Sequence, residues 1–184
     1  MKFTAATADG CFIIDPRTFH DDRGFFFESY NEQKFNDGIG SEIKFVQDNQ
    51  SFSTRGVLRG LHFQRGEYAQ AKLVRVSRGE VLDIAVDLRK KSPTFGQCFE
   101  IVLSEENNLQ LFIPRGFAHG FSVLSESAVF QYKCDNYYNK ESEGGLHYAD
   151  PELNIDWGLP FNELIVSEKD KELPFFKDAP DFGF

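Results

Sequence analysis

Short apolar runs, separated by turn residues, recur along most of the chain. They are CFIIDPRTF, KFVQDNQSFS, GVLRGLHFQ, KLVRVSRGEVLDIAVDLR, QCFEIVLSEEN, LQLFIPRGFAHGFSVLS and AVFQYKCDNYY. Val, Ile, Phe and Leu dominate the runs, and Gly, Pro, Asn or Ser lies between them. Strands at this short, regular spacing predict an all-β chain folded as an antiparallel sandwich or barrel.

The segment VLDIAVDLR shows the alternation most clearly. One face holds Leu82, Ile84, Val86 and Leu88, and the other holds Asp83, Ala85 and Asp87. A period of two is the signature of a half-buried strand. We expect the first face to pack a core and the second to meet solvent or line a polar cavity.

Two regions depart from the strand pattern. NEQKFNDGIG predicts one amphipathic helix, ended by Gly38 and Gly40. From Asn139 the chain is rich in Glu, Asp and Pro, and we predict ordered loops over 139–184 with one or two short helices near SEKDKEL. No repeat or linker interrupts the sequence, so a single domain over 1–184 is predicted.

Composition and charge narrow the function classes. Hydrophobic residues make up 41% of the 184, which is globular rather than disordered. The net charge of −9 argues against nucleic-acid binding, which needs a basic face. The N-terminus lacks the apolar run of a signal peptide, and no run is long enough to span a bilayer. We therefore expect a cytoplasmic protein with neither a nucleic-acid nor a membrane partner.

The three cysteines suggest neither a disulfide framework nor a zinc site. Cys11, Cys98 and Cys134 are widely spaced and form no CxxC pair. Metal-binding and disulfide-rich chains usually show closely spaced or even-numbered cysteines. Free, reduced thiols are predicted.

His62 lies within the apolar strand GVLRGLHFQ, between Leu61 and Phe63. A core histidine bonded to a backbone carbonyl is the simplest interpretation. Lys72 begins the strand KLVRV ten residues later (72 − 62 = 10), which gives the two side chains the same phase if both strands are regular. Lysine is rarely buried unless it is paired or used. Lys72 is thus a candidate for stabilising negative charge beside a base.

The segment IPRGFAHGF, with His119, has the PxGxxH shape of the second motif of cupin barrels. The first cupin motif would supply two histidines and a glutamate near His62, but the row here is His62, Phe63, Gln64. A His-containing catalytic metal site normally needs about three protein ligands. We predict a cupin-like barrel whose pocket works without a metal.

Tyr132 shares a strand face with Ala128, Phe130 and Cys134. It is either a core aromatic with a satisfied hydroxyl or a general acid that faces a cavity, because a phenol can donate a proton and recover it. The sequence leaves both interpretations open.

Three arginines stand in strand-turn contexts: Arg23, Arg59 and Arg115. Each could be an ordinary surface charge. In a chain of net charge −9, however, a phosphorylated ligand would have to be held by local guanidinium groups. These arginines are candidates for that contact.

Taken together and in order, seven segments resemble the dTDP-4-dehydrorhamnose 3,5-epimerase family. They are FHDDRGFFFE, FVQDNQSFS, GVLRGLHFQ, KLVRVSRGEVLDIAVDLRKKSPTFGQ, IPRGFAHGF, YKCDNYY and VSEKD, and they run from about Thr18 to Asp170. The resemblance implies a cupin-type antiparallel β jelly roll with a few short peripheral helices. It also implies a homodimer without metal or organic cofactor. The implied reaction inverts C3 and C5 of dTDP-4-dehydro-6-deoxyglucose on the way to dTDP-L-rhamnose.

The resemblance also implies residue roles. His62 would be the base, Asp170 its partner, Tyr132 the acid on the opposite face of the sugar, and Lys72 the group that stabilises the enolate oxygen. Substrate contacts would fall on Arg23, Phe26, Glu28, Gln47, Asn49, Arg59, His119, Tyr138 and Glu143. Residues 1–50 would contribute to the dimer, and some of these contacts would reach the partner subunit's site.

Three alternatives remain at this point. The first is an epimerase that inverts only C3 or C5 of a related nucleotide-linked 4-keto-6-deoxy sugar. The second is a cupin that binds a sugar nucleotide without catalysis, which the presence of His62, Asp170 and Tyr132 opposes. The third is a metal-dependent cupin oxygenase or isomerase, which the incomplete ligand row opposes.

Overall fold

The computed structural model describes residues 1–179 and 182–184, and within them it shows fourteen strands and two α-helices. The strands are β1 (Lys2–Ala5), β2 (Phe12–Asp15), β3 (Phe19–Asp21), β4 (Gly24–Phe26), β5 (Gln47–Thr54), β6 (Val57–Gln64), β7 (Lys72–Arg78), β8 (Glu80–Asp87), β9 (Cys98–Ser104), β10 (Gln110–Ile113), β11 (Phe117–Val123), β12 (Ser127–Cys134), β13 (Glu143–Gly145) and β14 (Ile165–Val166). The helices are α1 (Glu32–Ile39) and α2 (Glu168–Lys171). Neither is long and apolar enough to cross a membrane.

Two sheets of interleaved strands form the body of the structure. The first has the order β1-β2-β10-β7-β12-β5, and the second has the order β13-β6-β11-β8-β9, with β14 beside β6. Every pairing in this path is antiparallel except that of β14 with β6. This arrangement confirms the predicted antiparallel β jelly roll.

Apolar side chains fill both the space between the sheets and their outer faces. Val74 and Phe130 of the first sheet meet Val81 and Phe121 of the second in a buried inner cluster. On the outer side of the second sheet, Ile84, Val86 and Leu88 pack with Trp157 and other residues of the tail. The alternation predicted for β8 is thus confirmed, because its other face, with Ala85 and Asp83, points to the interior. The expectation that this second face meets solvent or lines a polar cavity is wrong, since its residues are fully buried and Asp83 and Asp87 have hydrogen-bonding partners there.

Helix α1 covers the outer side of the first sheet through the buried Phe35. It begins after Asn31, whose side chain accepts a hydrogen bond from the Lys34 amide, and it ends at Gly40, which has φ of 69°. The helix therefore continues through Gly38, which was expected to help end it. A Cβ at Gly38 would lie 2.4 Å from the ring of Phe3, so the glycine allows the close approach of β1.

The tail contains more strand than the sequence predicted. The predicted helix near SEKDKEL is present as α2, but β13 and β14 also add to the two sides of β6. Neither could be read from the sequence, because the segments EGG and IV are too short to show a period. Their pairing places the tail beside the strand that carries His62.

Candidate active site

A cavity of about 520 Å³ opens between the two sheets. His62 and His119 lie on its second-sheet wall, and Lys72 and Tyr132 lie on its first-sheet wall. The remaining lining residues are Ser51, Val57, Leu58, Arg59, Phe121, Phe130, Ile165, Val166, Ser167, Lys169 and Asp170. The structure thus brings together all four residues for which the sequence predicted a catalytic role.

His62 and Asp170 form a hydrogen-bonded pair, with His62 Nε2 2.7 Å from Asp170 Oδ1. The His62 side chain is 34% exposed, whereas that of Asp170 is 6% exposed. Ser167 holds the carboxylate in place by capping α2, where its hydroxyl accepts a hydrogen bond from the Asp170 amide. Because a carboxylate accepts, Nε2 carries the proton, and Nδ1 is the nitrogen left to act as a base.

The environment of Asp170 favours its ionised form. Burial acts to raise the pKa of Asp170, but the hydrogen bonds from His62, Gly60 and Ser167 and the charge of His62 lower it overall. An ionised partner stabilises the imidazolium that forms when His62 takes a proton. The pair therefore has the charge and the tautomer that a general base needs.

Lys72 and Tyr132 face this pair from neighbouring strands β7 and β12. Lys72 Nζ lies 5.9 Å from the centre of the Tyr132 ring. Burial lowers the pKa of Lys72. Burial also raises the pKa of Tyr132, with a smaller contribution from Cys134 and an opposing one from Arg59. The phenol is therefore held in its proton-donating form.

A second histidine–carboxylate pair lies next to the first, and the sequence did not predict it. His119 Nε2 lies 2.9 Å and 3.1 Å from the two carboxylate oxygens of Asp83, which is fully buried on β8. His119 is directly opposite His62 in the β6–β11 ladder. The alternation of VLDIAVDLR put Asp83 on the polar face but gave no sign of its partner. Across the two described ranges, no three His, Cys, Asp or Glu side chains are grouped so as to hold a metal ion.

Several of the predicted substrate-binding residues form a connected row of hydrogen bonds. The Gln47 side-chain amide donates to Asn49 Oδ1 at 3.0 Å, and Gln47 Oε1 accepts from the Tyr138 amide at 3.3 Å. The Tyr138 hydroxyl lies 3.2 Å from Glu143, which pairs with Lys169 at 2.7 Å. Since Lys169 lines the cavity, the row reaches its mouth.

Arg59 lines the cavity itself, and its Nε donates to Ser53 Oγ at 3.1 Å. The Ser53 hydroxyl fixes the Nε edge of the guanidinium. The two terminal nitrogens of Arg59 are not used in this hydrogen bond and can bind a phosphate in a bidentate contact. Ser53 is 5% exposed and had no sequence signal of its own.

Of the predicted substrate contacts, only Arg59 and His119 line the cavity itself, and four of the predicted residues belong neither to its lining nor to the row of hydrogen bonds at its mouth. Arg23 pairs with Asp21 at the β3–β4 hairpin, Phe26 is 70% exposed, and Glu28 pairs with Lys34 at 2.8 Å. Arg115, the third arginine proposed for phosphate, pairs instead with Asp135 at 2.7 Å.

Comparison with known proteins adds independent support. The family model described as dTDP-4-dehydrorhamnose 3,5-epimerase matches residues 5–178. A protein of that name from Salmonella typhimurium is 56% identical over 168 residues, which cover 91% of both sequences. The dTDP-4-dehydrorhamnose 3,5-epimerase of Elizabethkingia anophelis superposes with a TM-score of 0.94 at 57% identity, covering 97% of both chains. The dTDP-6-deoxy-D-glucose-3,5-epimerase of Legionella pneumophila, in complex with dTDP-4-keto-L-rhamnose, superposes with a TM-score of 0.93 at 47% identity, covering 97% of this chain and 94% of that one. The chain described here belongs to the dTDP-4-dehydrorhamnose 3,5-epimerase family.

Proposed function

We propose that this chain inverts C3 and C5 of dTDP-4-dehydro-6-deoxy-D-glucose to give dTDP-4-dehydro-L-rhamnose. The observation that carries the proposal is the pairing of His62 with Asp170 on one wall of a cavity whose opposite wall holds Lys72 and Tyr132. The names of the similar proteins supply the substrate class. The geometry supplies a base and an acid that approach a bound sugar from opposite sides.

The residues fit the chemistry step by step. The protons at C3 and C5 are both α to the C4 ketone, so His62 can remove either one and leave an enolate. Lys72 donates to the enolate oxygen, where negative charge develops. Tyr132 then returns a proton from the opposite side, and its phenolate regains one from solvent while the His62 imidazolium releases the proton it took. One base serves both carbons if the sugar reorients between the two steps.

Exchange with heavy water tests the reaction directly. The protein is incubated with dTDP-4-dehydro-6-deoxyglucose in deuterium oxide, and deuterium at C3 and C5 is read by NMR. We expect both positions to be labelled and both to invert. His62→Asn should lose labelling at both carbons, while His147→Asn, which changes a histidine outside the cavity, should keep it.

The same spectrum tests the single-centre alternative. Labelling and inversion at only one carbon would replace the 3,5-epimerase assignment by a 3- or 5-epimerase with the same base. Wild-type labelling in His62→Asn would remove His62 from the mechanism altogether.

We further propose that the enzyme is a homodimer with shared sites. Arg23, Phe26 and Glu28 lie away from the cavity of their own chain, and the β3–β4 hairpin exposes three large apolar residues, Phe19, Phe25 and Phe26, by 50%, 58% and 70%. Exposed apolar groups of this size commonly mark interfaces. In a two-fold dimer the hairpin of one subunit would complete the nucleotide site of the other.

Mixed dimers give a sharp test of this sharing. In a dimer of one Arg23→Ala chain and one His62→Asn chain, a shared site leaves one site fully intact and the other doubly changed. The mixed dimer should then recover substantial activity that neither variant has alone. If both residues act within one chain, every site is damaged and no activity is recovered.

The absence of a metal or organic cofactor, the cytoplasmic location and the single domain over 1–184 stay predictions. Elemental analysis of purified, active enzyme tests the first. A stoichiometric transition metal whose removal by a chelator abolishes turnover would contradict it.

A further inference from the structure

The carboxylate of Asp83 is fully buried, and within residues 1–179 and 182–184 its side-chain hydrogen bonds go to one partner, His119. The His119 side chain is only 7% exposed, and its ring stacks on Phe130 at 6.0 Å between centroids. A buried charge is costly unless it is compensated. A hydrogen bond from a neutral imidazole compensates it only in part, so the charge of Asp83 needs a further explanation.

His119 does not itself supply the missing positive charge. Burial lowers the pKa of His119 more than Asp83 raises it, and Lys72 and His62 lower it further. The ring is therefore neutral near pH 7 and donates its Nε2–H to Asp83. The pair as a whole carries one negative charge on the inner side of the cavity.

Lys72 lies across the same cavity from His119, the partner of Asp83. The titratable and charged groups around it are Arg59 and His62 on β6, Asp83 on β8, His119 on β11, Tyr132 and Cys134 on β12, and Lys169 and Asp170 at α2. Burial lowers the pKa of Lys72, while Cys134 and Asp83 raise it. Cys134 cannot act as an anion near neutral pH, because burial raises the pKa of its thiol to about 11. Asp170 forms its hydrogen bond with His62, so Asp83 is the remaining carboxylate that can stabilise the positive charge of Lys72.

We propose that Asp83 is a positioning residue that keeps Lys72 an ammonium in the cavity and holds His119 as its neutral Nε2–H tautomer. The inference rests on the proposed function only in giving Lys72 a reason to be charged, which is to stabilise the enolate oxygen. By this proposal the charged state of Lys72 depends on Asp83, which lies behind the cavity wall and does not line the cavity. No ion pair of Lys72 replaces it among the described residues.

The decisive measurement is the titration of Lys72 without substrate. Protein labelled with ¹³C and ¹⁵N at lysine is titrated by NMR, and the Lys72 signal is assigned by its absence in Lys72→Arg. In Asp83→Asn the Lys72 midpoint should fall by about one pH unit or more, the low end for loss of a nearby opposite charge. Asp87→Asn is the matched control, because Asp87 is equally buried on the same face of β8 but pairs with Arg89.

The proposal is overturned if the Lys72 titration midpoint falls by less than this in Asp83→Asn, or if it falls by the same amount in Asp87→Asn. If Asp83→Asn does not fold, the wild type still decides. At pH 7 it must show Lys72 as an ammonium and His119 as the neutral Nε2–H tautomer, and a neutral amine or an imidazolium overturns the proposal. The titration is independent of turnover, so an unlabelled product from the wild type would overturn the proposed function and leave this result standing.

Discussion

Asp170→Asn separates the charge of the His62 partner from its shape. In the wild type the two side chains meet at 2.7 Å, and proton transfer to His62 creates an ion pair there. Two unit charges about 4 Å apart attract by about 4 kcal/mol at the effective dielectric constant near a protein surface. That energy corresponds to about three orders of magnitude in rate. Because the His62 side chain is 34% exposed, solvent screens part of it, and we expect a loss of about 10²–10³-fold.

The substitution also acts through the tautomer of His62. If the new side-chain amide donated its N–H to Nε2, the proton would move to Nδ1 and block the basic nitrogen. If its oxygen accepted from Nε2–H, the tautomer would be kept but the imidazolium would lose its counter-charge. Both arrangements weaken the base, so the direction of the effect does not depend on which forms. The backbone bond from the amide of residue 170 to Ser167 Oγ is unchanged, so α2 should stay in place.

The assay is single-turnover deuterium incorporation at C3 and C5, with dTDP binding measured by calorimetry. One base serves both carbons, so both rates should fall by a similar factor while dTDP affinity is kept. Asp150→Asn removes another buried carboxylate, one that accepts from the backbone amides of Glu152, Leu153 and Phe176, and should leave exchange per folded molecule unchanged. Exchange at the wild-type rate in Asp170→Asn, at either carbon, would refute the reasoning.

The same geometry sets the expected behaviour of three other variants. Tyr132→Phe should keep deuterium exchange, because His62 still removes protons, but inversion should fail at one or both centres. The same NMR experiment measures exchange and inversion, and loss of both in this variant would contradict the prediction. Arg59→Lys keeps the charge but loses the planar fork, so calorimetry should show weaker dTDP binding with little change in turnover, and unchanged affinity would place the diphosphate elsewhere. Asp87→Asn should lower the free energy of unfolding by about 2 kcal/mol in urea at pH 7, because it removes the buried carboxylate that accepts hydrogen bonds from Arg89, Ser92 and Thr94. Burial acts to raise the pKa of Asp87, but its hydrogen bonds lower it overall from 3.8. The stabilisation by the Asp87 carboxylate is therefore present above about pH 4 and is lost as the pH falls through the pKa that Asp87 has in the folded protein. If the difference in unfolding free energy between wild type and Asp87→Asn does not narrow below about pH 4, this explanation is wrong.

The sequence predicted the strands that carry the cavity because short runs rich in Val, Ile, Phe and Leu lie between turn residues. The even separation of His62 and Lys72 predicted a shared side-chain phase, and both side chains line the cavity. Tyr132, for which the sequence left a core role and a cavity-facing role open, lines it as well. The tail strands were missed because pairing with β6, not local preference, makes them extended. The pattern predicts a helix end at Gly38, and this is wrong because the reason for a glycine there, the close approach of Phe3, is a tertiary contact.

Long-range partners mark the limit of the sequence argument. Asp170 lies 108 residues from His62, and only the family resemblance connected the two. Asp83 lies 36 residues from His119, and their contact depends on β8 and β11 being neighbours, a fact of topology that no local pattern shows. A carboxylate on the polar face of a strand was visible, but its partner was not.

The two histidines show how the fold gives one residue type two tasks. They are cross-strand neighbours, and each bonds a carboxylate through Nε2, so their local chemistry is the same. The difference lies in where the carboxylate comes from. Asp170 reaches His62 from a helix at the cavity mouth, where the ring can exchange protons with solvent, whereas Asp83 reaches His119 from inside the barrel. Protonation of His119 would add a second buried cation beside Lys72, and burial, Lys72 and His62 together outweigh Asp83 and lower the pKa of His119. His62 is therefore the histidine left to take protons.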